Sequence, residues 1–110
     1  MFNFQVFAAN LLAAVANTLQ NNFTTPVKQF IEETLASKEE RLKDIAQGVL
    51  DKQIDLKDVP EYAKVELNIA EADLLAIGIL TATEAQDVIN ALVEKGTALL
   101  NGLVPTQQVK

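Results

Sequence analysis

The sequence has no cysteine, no histidine and no tryptophan, and only one tyrosine, three prolines and four glycines in 110 residues. Without cysteine there are no disulfides and no thiolate metal sites, and the redox compartment is left open. Without histidine the chain lacks the side chain whose unperturbed pKa suits proton transfer near neutrality. Ser-His-Asp and Cys-His catalysis and the usual zinc sites are excluded with it. Gly and Pro are too few and too scattered to supply the turns that an all-β chain needs about every eight to twelve residues. Helices are expected throughout.

Positive charge is scarce as well. Nine Lys and Arg stand against fifteen Asp and Glu, for a net charge of −6 and a pI near 4.5. Sequence-independent binding to nucleic acid needs a basic footprint, and no Lys/Arg patch provides one. Long apolar runs are missing too. No stretch of about 18 apolar residues exists, and Asn10, Asn17, Gln20, Asn21 and Asn22 are costly in hydrocarbon, so no membrane span is expected. The apolar segment Phe4 to Ala16 ends in Ala14-Val15-Ala16, which has the form of a signal-peptidase site. No Lys or Arg precedes it, however, and Gln5 and Asn10 interrupt it, which argues against a signal peptide. The expected location is cytoplasmic or in a virion.

What is present fits one small domain, long enough to remove about two-thirds of its extended-chain surface from water. Residues 1–27 carry no charged side chain, whereas 28–69 carry seven basic and ten acidic ones, and 70–110 carry five acids with Lys95 and Lys110. The expected organisation is an uncharged helix over 1–24, a helical core over 26–104 and a polar tail over 105–110. Phe4, Phe7, Ala8, Leu11, Leu12, Val15, Leu19 and Phe23 cover an arc about 160° wide at 100° per residue. Asn3, Asn10, Asn17 and Thr24 are placed on the opposite face.

Thr25-Pro26 reads as an N-cap followed by proline at N1. Val27, Phe30, Ile31 and Leu35 then keep one face apolar. Ser37 with Glu40 three residues on has the pattern of a capping box, which either opens a third helix or marks a bend. Ala46–Asp51 and Ala76–Thr81 both have the form Ala-x-Gly-apolar-Leu-cap and are read as corners between helices. Thr81 with Glu84 at N3 makes the second a capping box. Between the corners, Asp51 to Asp58 is a short helix or irregular link. Asp58-Val59-Pro60 then opens a long central helix, with Tyr62, Val65, Ile69 and Ala72 beside Leu67, Ala70, Leu74 and Ile77 as two buried stripes. The last helix runs from Ala82 to about Asn101, with Ala85, Val88, Ile89, Leu92, Val93, Leu99 and Leu100 inward, and is ended by Gly102 and Pro105. The fold class is thus all-α, a small bundle of four to five helices joined by short corners.

Candidate chemistry is thin. Asp51, Asp55 and Asp58 supply oxygen ligands without the spacing of a calcium loop. Glu66 and Asp73, seven apart, share a helix face, but no histidine, phosphate loop or second carboxylate pair completes a site, so a solvated face is expected. Arg41 and Lys43, among Lys38, Glu39, Glu40 and Asp44, form a mixed-sign surface. No metal, cofactor or small-molecule substrate is expected, and no enzymatic activity.

The uncharged helix is different. Helix surfaces that face water use Glu, Lys and Arg, whereas asparagine is a weaker helix former. Amides can be buried against a partner when their hydrogen bonds are met, and a recurrent asparagine fixes register between associated helices. The expected interface residues are Asn3, Phe4, Phe7, Asn10, Leu11, Asn17, Asn21 and Thr24. The expected function is a non-enzymatic structural or assembly protein, such as a minor virion or filament component, whose partner is another protein, itself or a larger assembly. The alternative is a small acidic inhibitor or immunity-type regulator that binds one partner through its negative faces. A third reading, an interfacial membrane helix over 2–23, is opposed by the lack of Lys and Arg on its polar face.

Overall fold

A computed structural model describes residues 2–103, and these form six α-helices and no strand: α1 (Phe4–Leu19), α2 (Thr25–Ser37), α3 (Glu39–Leu50), α4 (Val59–Leu67), α5 (Glu71–Leu75) and α6 (Ala82–Asn101). Short 3-10 turns at Gln20–Asn22 and Leu56–Asp58 link α1 to α2 and lead into α4. The proposed tail, 105–110, lies outside the described residues.

The long helix α6 is central. It packs against α1, α3, α4 and α5, and Val88, Leu92 and Leu100 are fully enclosed. Its start is set as the sequence indicates, because the Thr81 hydroxyl accepts from the Glu84 amide and the Glu84 carboxylate accepts from the Thr81 amide. Its end is at Asn101, with Gly102 at the cap. Gly78, at φ 86°, supplies the left-handed residue of the preceding corner.

α1 runs antiparallel to α6. Phe2 and Val6 at its start lie beside Leu99 and Leu103, while Asn22 beyond its end donates to Glu84. Phe4, Phe7, Leu11, Val15 and Leu19 form the buried line, spaced three and four residues apart as one helix face requires. Each fully buried Leu or Val adds about 1.5–3 kcal/mol by leaving water, so α1 is part of the core. Ala8, Leu12 and Phe23 are only partly buried against it.

Several expectations are corrected. The single central helix over 59–77 is broken at Asn68–Ala70, where Asn68 leaves the helical region at ψ 81°. Two adjoining apolar stripes cannot both face one core from a straight helix. The break re-aims the second, so that Leu67, Ile69 and Leu74 are buried while Tyr62 and Val65 stay exposed. The break also separates Glu66, which is buried on α4, from the exposed Asp73 on α5. The first corner also falls later than its glycine. Gly48 is a buried helical residue against which Ile54 packs, and α3 is closed by Lys52 at φ 62°. There the Gln53 amide donates to the Gly48 carbonyl and the Lys52 amide to that of Val49, a Schellman arrangement.

The Ser37 capping box does not form. The Ser37 hydroxyl donates to the Thr34 carbonyl, and Lys38 is the one-residue hinge between α2 and α3. α2 begins one residue early, with Thr24 at the N-cap and Pro26 inside the first turn. Proline is tolerated there because that amide has no intrahelical partner anyway.

Candidate functional site

The neutral face is built by α1 and α6 together. At one end of their seam Phe2, Asn3, Val6, Phe7, Asn10, Leu99 and Leu103 line a shallow groove of about 180 Å³ without one charged side chain. Phe2 stacks on Phe7 at 5.2 Å between ring centroids, tilted by 59°, and Val6 is 55% exposed. At the other end Ala14, Asn17, Thr18, Ala91, Glu94, Lys95 and Ala98 line a second hollow. Three of these residues are alanine, and the two charges are of opposite sign.

The predicted interface residues divide into three groups. Phe4, Phe7 and Leu11 are 8%, 4% and 0% exposed. They serve the chain's own core and are withdrawn as an outward surface, apart from the edge of Phe7 in the groove. Asn3, Asn10 and Asn17 follow the α1–α6 seam. They stand about a third of a turn from the centre of the buried line and not opposite it. The wheel centred the arc about 20° too far round because it included Ala8, Leu12 and Phe23, which are only partly buried. Asn21 and Thr24 lie beyond the helix. Asn21 is exposed, and Thr24 is half-buried with its hydroxyl unpartnered among the described residues.

Asn3 caps α1, its Oδ1 accepting from the Val6 amide at 3.1 Å, and its NH2 makes no hydrogen bond among the described residues. The side chains of Asn10 and Asn17 make no hydrogen bond among the described residues. Sequence reasoning missed Phe2, Val6 and Leu103. Their signal was readable, since Phe2 and Val6 are apolar residues four apart that fall off the main arc of α1.

The remaining candidates carry structure. Glu66 is 8% exposed, so the expected solvated face is corrected at this residue. Its carboxylate lies 3.7 Å from Lys38 Nζ and 3.4 Å from Arg41 Nη1, tying α4 to the α2–α3 hinge. Lys43 pairs with Glu39 at 2.8 Å along α3. Glu84 is held below the usual carboxylate range, first by the Thr81 amide, then by the Asn22 side chain, with a smaller contribution from the Thr81 hydroxyl. Asp51, Asp55 and Asp58 are exposed, and no three acidic side chains among the described residues converge on one point. No described helix is long and apolar enough to cross a membrane. No family model, curated protein or solved structure matches the chain.

Proposed function

We propose that this is a non-enzymatic structural protein that joins a protein assembly through the face shared by α1 and α6, as a minor subunit of a virus particle or filament does. The observation that carries the reading is the neutral groove beside an exposed Val6 on a protein of net charge −6. The outward residues of α1 are Gln5, Val6, Ala9, Ala13, Asn17 and Thr18. None is charged, although charged residues make better water-facing helix surfaces. A surface kept free of charge and partly apolar is suited to being covered by protein.

The test is charge insertion at Val6→Lys and at Asn10→Lys, with thermal stability and solubility measured on the full chain. Each variant is expected to keep its stability within about 0.5 kcal/mol, as surface substitutions do, and to be more soluble. Unchanged solubility would sink the reading, because water would already accept the face. A loss above about 2 kcal/mol would place it in the chain's own core. Association through this face is expected to hold as salt rises, whereas binding through the acidic faces would weaken.

A further inference from the structure

We infer that the occupant of the α1–α6 face is a second copy of this chain, packed antiparallel about a twofold axis at Asn10. The inference rests on the covered-face reading above and names the partner.

Charge is the first ground. All 24 charged side chains lie from Lys28 onward, and their excess is acidic, so most approaches between two copies oppose like charges. The α1–α6 face escapes this, because its groove is uncharged and its second hollow adds only Glu94 and Lys95, one of each sign.

Chemistry is the second ground. An asparagine side chain is donor and acceptor at once and pairs with its own copy, which a carboxylate or an ammonium cannot do. Asn3, Asn10 and Asn17 are seven residues apart. An axis at Asn10 therefore sets Asn10 against itself and Asn3 against Asn17 of the second copy, as an isologous contact demands.

Shape is the third ground. The same axis turns one end of the seam onto the other. Val6, with Phe2 and Leu103 beside it, meets the small residues Ala14, Ala91 and Ala98 of the second copy. Small residues there let two helices approach closely. An isologous contact closes at two copies, so the unit offered to any larger assembly is a pair.

The experiment is multi-angle light scattering of the full chain over a concentration series, alone and as Asn10→Lys and Asn10→Glu. The mass is expected to move from one chain to two as concentration rises. Each variant alone is expected to weaken pairing at least about tenfold, since like charges meet on the axis. An equimolar mixture of the two variants should recover it, which a merely structural role for Asn10 would not produce. A chain that stays single while Asn10→Lys is still more soluble overturns the second copy and leaves the covered face standing. A dimer that the mixture fails to restore overturns the axis. A chain that pairs only when ended at Leu103 overturns the inference too, because its own C-terminal residues would then be the occupant.

Discussion

Leu67 of α4 lies directly over Gly96 of α6, so that a Cβ at position 96 would collide with the leucine's Cδ1. Leu67 is 1% exposed and has little room to yield. Gly96→Ala is therefore expected to destabilise the protein despite the gain of about 1 kcal/mol in helix propensity. Overpacking a closed core costs about 1–3 kcal/mol, so a net loss should appear in urea denaturation. A stabilised variant would show that α4 and α6 can move apart freely.

The buried carboxylate of Glu66 is shared by two cations, and this predicts non-additivity. Arg41, with a side chain 74% exposed, should cost no more than about 1 kcal/mol as Arg41→Ala. Lys38→Ala is expected to behave alike, because either cation alone still faces Glu66. The double variant leaves the carboxylate buried and unpaired, and should lose more than the sum of the two by about 1–3 kcal/mol. Strict additivity in a double-mutant cycle would mean that Glu66 reaches water in solution.

Lys52 closes α3 in the left-handed region at φ 62°, which costs a residue with a Cβ about 1–2 kcal/mol. Lys52→Gly is expected to stabilise the chain by up to about 1 kcal/mol, because glycine enters that region without strain but loses more backbone entropy. Calorimetry would decide the sign, and a lower melting temperature would count against the cap.

Glu84 links pH to the start of α6. Its folded pKa is lowered by the Thr81 amide and the Asn22 side chain. Its contribution to stability is therefore fully present above the unfolded pKa and is lost as pH falls through the depressed folded value. Glu84→Gln is expected to remove that part of the acid dependence, and NMR titration of the wild type should find Glu84 titrating below the usual carboxylate range. An ordinary titration would mean the Thr81 and Asn22 contacts are not held in solution.

Removing residues 1–22 is expected to unfold the protein, since Leu11 and Val15 are 0% exposed and their loss strips the face of α6 they cover. Even Leu11→Ala should cost about 2–5 kcal/mol. A truncated chain with native helicity and a cooperative melt would contradict this. Association is therefore better tested by substitutions on the outer face of α1 than by deletion.

Composition and periodicity determined the helical class, the limits of α6 and the Thr81–Glu84 cap. These depend on interactions within a few residues, which a sequence displays directly. The same local chemistry made the lack of charge before Lys28 visible, and with it the candidate face. Tertiary packing decided the rest. Whether Gly48 ends a helix or admits Ile54, and whether residues 59–77 form one helix or two, depends on where neighbouring surfaces lie. So does the turn of α1 that moves Asn3, Asn10 and Asn17 from the far side to the α6 seam. A single wheel records which residues share a face but not the direction from which a second helix approaches. That direction brings Val6 and Leu103, 97 positions apart in the sequence, into one groove.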